Sequence, residues 1–153
     1  MQLSAQHHKD LMSKSTPINI AGTVVRDKDG RYLMVKEKRA DIYGLWNIPA
    51  GHQDKEESLQ QAAIRETYEE VGLKVELITH EPIYIGKTGN KNHIFHAFPA
   101  RIIGGELNIP KDEIIEVKWL VFSDILKLNQ LGKIRNHTTM TSIRKVEDAY
   151  SRH

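Results

Sequence analysis

The stretch Gly51 to Leu73, GHQDKEESLQQAAIRETYEEVGL, sets Glu57, Arg65, Glu66, Glu69 and Glu70 between two glycines. An α-helix turns about 100° per residue, so Glu66, Glu69 and Glu70, spaced i, i+3 and i+4, share one face. Like charges at that spacing cost a few tenths of a kcal/mol per pair when nothing neutralises them, and no lysine is interspersed on this face. A divalent cation held by oxygen ligands removes the repulsion and gives it a use. The spacing therefore predicts a metal site built on a rigid helix. Ser58-x-x-Gln61 fits a capping box, Leu59 to Val71 the helix body, and Gly72 the left-handed position after its end. Ile64, Thr67, Tyr68 and Val71 fall on the arc opposite the acids, so one face is expected to pack while the other presents carboxylates.

Around this helix the chain reads as an ordinary globular sequence of 153 residues, 39% hydrophobic and 27% charged, long enough for one domain with a sizeable core. A net charge of +2 gives no footprint for nucleic acid or an anionic membrane. The absence of cysteine excludes disulfides, thiolate metal sites and cysteine nucleophiles. No apolar run reaches the length of a membrane span and the N-terminus lacks a signal-peptide core, so a cytoplasmic protein is expected. The eight histidines are scattered without a zinc-type spacing.

Residues 1–17 are polar and read as a tail or short surface helix closed by Pro17, leaving 18–153 as a single domain. Ile18 to Arg26 and Tyr32 to Lys36 flank the turn signature Asp27-Lys28-Asp29-Gly30 and predict a hairpin. Lys36, Lys38 and Arg39 cluster after it; they suit either a solvated edge or contact with phosphate. Asp41 to Ala50 is a loop carrying Tyr43, Trp46 and Pro49, with Trp46 either core or a platform for a ligand ring. Lys74 to Lys87 reads as a strand, Thr88 to Asn92 as a loop, and His93 to Ile103 as a strand broken by Gly104-Gly105. An acidic connection from Glu106 to Glu116 leads to a buried strand, Val117 to Phe122. A small helix from Ser123 to Gly132 and a C-terminal helix over Thr138 to Tyr150 close the chain. The mixed order favours α+β, a mixed β-sheet flanked by helices in an α/β/α sandwich.

The residues Gly51-x5-Glu57-x7-Arg65-Glu66-Thr67-x-Glu69-Glu70-x-Gly72-Leu73 resemble the complete signature of the Nudix hydrolases. Thr67 is the one departure, standing where the family has a bulky aliphatic residue, and it lies on the packing arc. Seven fixed positions at roughly 7% usage give a chance agreement on the order of 10⁻⁸ per window, which makes the pattern specific. The resemblance extends more loosely over residues 18 to 125, through the Trp-x-x-Pro-x-Gly approach and the Glu113-x-x-Glu116-x-x-Trp119 segment. It implies the Nudix fold and cleavage of a phosphoanhydride, in a nucleoside di- or triphosphate or a nucleoside diphosphate linked to another group. Mg²⁺ or Mn²⁺ is the implied cofactor, since hard cations take carboxylate oxygens and lower the pKa of bound water.

By the same resemblance Glu66, Glu69 and Glu70 are the metal ligands, with the backbone carbonyl of Gly51 added. Glu57 and Arg65 form an orienting pair between loop and helix. The general base is left between Glu66, Glu69, Glu113 and Glu116, because within the family it comes from the signature or from a distant loop. Lys38, Arg39 and Trp46 are candidates for substrate binding, and Tyr43, Phe95, Phe98 and Asn136 for contact with a base. Leu-Trp-Asn-x-Pro-Ala-Gly-His at 45–52, with Ser-Ile-Arg at 142–144, resembles a branch of small Nudix enzymes that dephosphorylate nucleotides and a thiamin-precursor pyrophosphate. The partner implied is thus a small nucleotide or other diphosphate; some Nudix enzymes dimerise, though no apolar stripe here demands a homodimer. The competing function is a catalytically silent Nudix domain that binds a nucleotide metabolite as sensor or scaffold. Its sequence mark would be a lost signature carboxylate, and none is lost here, or an appended DNA-binding domain, for which 153 residues are expected to leave no room.

Overall fold

The strand β1, Ile18–Val25, alternates its side chains between two packed layers. Ala21, Thr23 and Val25 face one helix, α1 (Leu59–Val71), through Ala62, Ala63, Thr67 and Val71. Val24 faces the other way, clustering with Ile125 of α2 (Phe122–Gln130) and with Met140, Ile143 and Val146 of α3 (His137–Ser151). Helices thus cover both faces of the sheet, as the α/β/α expectation requires. The computed structural model describes residues 16–89 and 92–151. The expected tail at 1–17 lies, apart from its last two residues, outside the described residues, as do two residues of the 88–92 loop.

The remaining strands are β2 (Arg31–Glu37), β3 (Trp46–Asn47), β4 (Ala50–His52), β5 (Leu73–Leu77), β6 (Tyr84–Lys87), β7 (His93–Gly105) and β8 (Ile114–Val121). They form a five-stranded mixed sheet in the order β4-β1-β7-β5, with β6 also on β7, and a three-stranded antiparallel sheet, β3-β2-β8. Among the described strands β1 and β7 run parallel, from Ile18 beside His93 to Val25 beside Ala100, and the other strand pairs are antiparallel. Tyr32, Met34 and Trp46 of the smaller sheet share a core cluster with Val24, Phe95 and Ala97 of the larger one.

Three sequence expectations change. The turn after β1 forms, with Asp27 Oδ1 accepting from the backbone N–H of Asp29 (3.0 Å) and Arg31 (2.8 Å) and Gly30 at φ +76°. The strands on either side do not make a hairpin. After one bridge, Arg26 to Tyr32, they part into different sheets: β4 and β7 hold both edges of β1, and β2 pairs with β3 and β8. Residues 74–87 are two strands rather than one. Ile78 N–H donates to Pro99 O and Ile83 N–H to Ala97 O (both 2.8 Å), while the segment between, with Pro82 lacking a donor, bulges off β7. Gly104-Gly105 does not break β7. Gly105 (φ +83°) ends it against Gly72 (φ +80°), where a Cβ on either glycine would overlap the other segment's backbone.

Candidate active site

Helix α1 begins and ends as its sequence demands. Ser58 Oγ accepts from Gln61 N–H (3.0 Å), Gln61 Oε1 accepts from Ser58 N–H (2.8 Å), and Gly72 N–H donates to Tyr68 O (2.8 Å) at the other end. Ala62, Ala63, Thr67 and Val71 are buried, but Tyr68, placed on the packing arc by the sequence, is 51% exposed. The arc is narrower than expected because two alanines bring the helix close to β1 and leave no depth for a tyrosine at its margin.

The three glutamates are not equivalent. Glu66 is largely buried, its side chain 16% exposed, and its carboxylate fills the space a side chain on Gly51 would need. Glu69 points to solvent, 55% exposed. Glu70 is the most withdrawn: its Oε2 is shut off from solvent and has no hydrogen-bond partner. Burial raises the carboxyl pKa of Glu70 well above the usual carboxylate range, and the charges of Glu37, Glu66 and Glu113 add to the rise against one backbone donor at Ala50. Burial also raises Glu66, opposed by the Arg65 guanidinium.

Arg65 is the hub. Its Nε and Nη2 donate to the two carboxylate oxygens of Glu57 (3.1 and 2.7 Å), a fork geometry that lysine cannot make. Nη1 donates to Glu66 Oε1 and Glu69 Oε2 (both 3.0 Å), and Nη2 to His52 O (3.0 Å), with Asp54 at 3.4 Å. Glu57 also accepts from Asp54 N–H (2.8 Å), so one carboxylate ties the loop before the helix to the helix itself. The Arg65 bonds lower the Glu57 pKa, and Glu57 in turn raises that of Arg65. The neutralising cation missing from the glutamate face is therefore supplied from position 65, for Glu66 and Glu69 but not for Glu70.

The other candidates fall apart on geometry. Trp46 is 6% exposed and belongs to the core, its backbone bonded to Lys133 O and Arg135 N–H (both 2.8 Å), so its ring offers no free face to a ligand. Phe95 and Phe98 are core as well. Lys38 Nζ donates to Lys111 O (2.7 Å) and Arg39 pairs with Asp41 (3.1 Å), both at the exposed strand end. Tyr43 is exposed at 64%. Asn136 Oδ1 accepts from the N–H groups of Thr138 (3.0 Å) and Thr139 (3.3 Å), which commits it to capping α3. Glu113 lies among the charges that act on Glu70, whereas Glu116 sits opposite Lys36 on β2 and pairs with Lys118 (3.5 Å).

Glu37 was not singled out by its sequence context. It ends β2 on the same side as Leu33 and Val35, which pack with Val71 of α1, and its charge is the strongest acting on Glu70. The signal was there: an acid continues an apolar strand face at Leu33, Val35, Glu37.

A model of the NUDIX domain matches residues 16–140. The chain belongs to the NUDIX family. It is 27% identical over 133 residues to the human protein "Nucleoside diphosphate-linked moiety X motif 6", covering 84% of this chain and 40% of the relative. It is 27% identical over 135 residues to "ADP-ribose pyrophosphatase" of Bacillus subtilis (strain 168), covering 86% of this chain and 72% of the relative. The chain thus spans well under half of the first relative's length and most of the second's. A solved NUDIX hydrolase from Nitrosomonas europaea superposes with a TM-score of 0.73 at 22% identity, over 88% of this chain and 90% of that one, which identifies the fold. Within the NUDIX signature, Glu66 and Glu70 provide hard oxygen donors beside the Gly51 strand, and the buried, unpartnered oxygen of Glu70 suits a divalent cation. As the side chains lie, no three acidic or histidine groups among the described residues converge closely enough to enclose a bare ion. No helix among them is long and apolar enough to cross a membrane.

Proposed function

We propose that this NUDIX chain hydrolyses a phosphoanhydride bond in a nucleoside di- or triphosphate, or in a nucleoside diphosphate linked to another group, with Mg²⁺ or Mn²⁺. The observation that carries this is Glu70 Oε2, buried without a partner beside Glu66 inside a complete NUDIX signature. An unpaired carboxylate in such a place is costly to the fold unless a cation joins it. Glu66 and Glu70 hold the ion, with Glu69 at the solvent edge and the Gly51 carbonyl completing the set. When bound, the divalent ion neutralises diphosphate charge and acidifies a water molecule. Arg65 and Glu57 keep Glu66 and Glu69 in register through the fork described above. Glu113 is favoured over Glu116 as the distant proton acceptor, since its charge acts on Glu70 while Glu116 pairs with Lys118 (3.5 Å). The alliance to a B. subtilis ADP-ribose pyrophosphatase supports a nucleoside diphosphate derivative as the substrate class.

The test is phosphate release from a panel of nucleotides and nucleoside diphosphate derivatives, with and without Mg²⁺ or Mn²⁺, for the wild type, Glu66→Gln and Glu70→Gln. Metal-dependent release that both variants lose is the expected result. Full activity in either variant at saturating Mg²⁺ sinks the ligand assignment. A panel in which nothing is cleaved, while one member raises the melting temperature, replaces the hydrolase with a silent nucleotide-binding domain.

A further inference from the structure

We infer that Gln53 is a positioning residue of the proposed hydrolytic site, a clamp from the sheet that fixes Glu57 and, through it, the Arg65 fork. The inference rests on the hydrolase reading proposed above. Gln53 is bonded to β1 twice: its N–H donates to Asn19 O (2.9 Å), and its Oε1 accepts from Asn19 Nδ2 (3.2 Å). Its Nε2 donates to the backbone carbonyl of Glu57 (2.8 Å). Asn19 Oδ1 lies 3.2 Å from Nε2 of His96 on β7, a ring that is 8% exposed. The directions of these bonds follow from their far end. A carbonyl only accepts, so Gln53 gives its nitrogen to Glu57 and its oxygen to Asn19. Asn19 then turns its own oxygen to His96, which carries its proton on Nε2. The other ring nitrogen, Nδ1, is buried without a bond, so the contact with Asn19 orients the imidazole. A line of three side chains thus runs from β7 across β1 to the turn before α1.

The turn that Gln53 reaches is poorly closed by its own backbone. Glu57 N–H meets Asp54 O at 3.5 Å, long for a hydrogen bond. Glu56, between them, stands at φ +68°, in the left-handed region where a residue with a side chain is strained. Such strain persists only where the surroundings hold it, and it collects at working sites. Two bonds to Glu57 do the holding: its carboxylate accepts from Asp54 N–H, and its carbonyl accepts from Gln53 Nε2. The first lies within the turn, and the second ties the turn to the sheet. Glu57 is therefore fixed from the sheet by Gln53 and from the helix by Arg65. A shift of Glu57 carries the guanidinium with it, and with the guanidinium the bonds that set Glu66 and Glu69. A methionine at 53 would fill much the same space and hold nothing.

The decisive measurement follows the Nε–H resonance of Arg65 in the isotope-labelled full chain, assigned by its absence from Arg65→Lys, beside phosphate release from the nucleotide panel and melting curves. In the wild type the bond to Glu57 is expected to slow exchange of that proton with water. Gln53→Met loses the clamp, and Asn19→Ala leaves Gln53 unheld. Both are expected to move the resonance toward its position in Glu57→Gln. Both are also expected to lower kcat about tenfold with KM little changed, in the range of groups that orient metal ligands. Gln53→Met is expected to add nothing further to Glu57→Gln, because the two act through one bonded unit. A resonance left in place in either folded variant overturns the inference whatever the melting temperature does. So does a loss in kcat that adds in full to that of Glu57→Gln. A wild type that cleaves no member of the panel, with a resonance that still moves in the variants, defeats the hydrolase proposal and upholds the link from Gln53 to Arg65.

Discussion

The carboxylate of Glu66 occupies the volume in which a side chain on Gly51 would begin. Gly51 keeps an ordinary backbone conformation, so its glycine is required by the neighbour and not by φ. The obstructing atoms are the far end of a flexible side chain. Gly51→Ala is therefore expected to fold with little loss of stability while displacing Glu66. A misplacement of about 1 Å at a reacting centre costs about 10²-fold in rate. Steady-state kinetics beside a melting curve checks this, and a variant that keeps full turnover removes the Gly51–Glu66 contact from the site.

Arg65→Lys keeps the charge and loses the fork. Lysine cannot bridge both oxygens of Glu57 while reaching Glu66, Glu69 and the His52 carbonyl, which Arg65 does with three nitrogens. The expected outcome is a 10–100-fold loss in Mn²⁺ affinity or kcat/KM, the usual range for groups behind metal ligands. Glu57→Gln is expected to fall in the same direction and to add little in the double variant, because both act through one bonded unit. Additive losses would assign the two residues separate tasks.

The helix and its glutamates were legible in sequence because capping, periodicity and the closing glycine are local and each has a chemical signature. What differs between Glu66, Glu69 and Glu70 was not legible. Their spacing is common to all three, and their fates are set by Arg65 on the same helix and by strands far away in the chain. Partner choice for β2 was hidden for a similar reason: Leu33 and Met34 are both buried, so the strand carries no polar face to show which edge it seeks. The loop-like segment around Trp46 leaves its ring open between core and ligand platform in the sequence, and the return of residues 133–135 to its backbone places it in the core.

Metal-free protein is expected to lose stability as pH rises. The unfolded glutamate titrates near about 4.3. Glu70 in the fold is raised well above that by burial, so its contribution is fully present below the unfolded value and is lost as pH rises through the folded one. Glu66 works in the same direction. Glu57, lowered by Arg65, works in the other: its contribution is present above the unfolded value and is lost as pH falls through the folded one. Glu70→Gln removes the alkaline loss. Urea melts in EDTA at several pH values above about 4.3 are expected to show the variant gaining on the wild type as pH rises. Mn²⁺ at neutral pH closes that gap by stabilising the wild type. A stability difference that stays flat with pH contradicts the placement of Glu70.

Thr67, the one residue that departs from the family pattern, has its counterpart in the sheet. Its hydroxyl donates to Ala63 O (2.8 Å) and lies 2.7 Å from the hydroxyl of Thr23, both side chains fully buried. With the Thr67 proton committed to Ala63, Thr23 is the donor of the second bond. The two threonines therefore differ in what their loss leaves behind. Thr67→Val strands the Thr23 hydroxyl in the core and is expected to cost about 1–3 kcal/mol, the penalty of an unmade buried hydrogen bond. Thr23→Val leaves Thr67 still bonded to Ala63 and is expected to cost less. In the double variant no hydroxyl is stranded, since the Ala63 carbonyl keeps its helical partner, and stability is expected to recover above that of Thr67→Val alone. Denaturant melts of the four proteins close the cycle. Equal single-variant costs that simply add would mean that the hydroxyls do not depend on each other, and that the threonine stands on the arc as an aliphatic would.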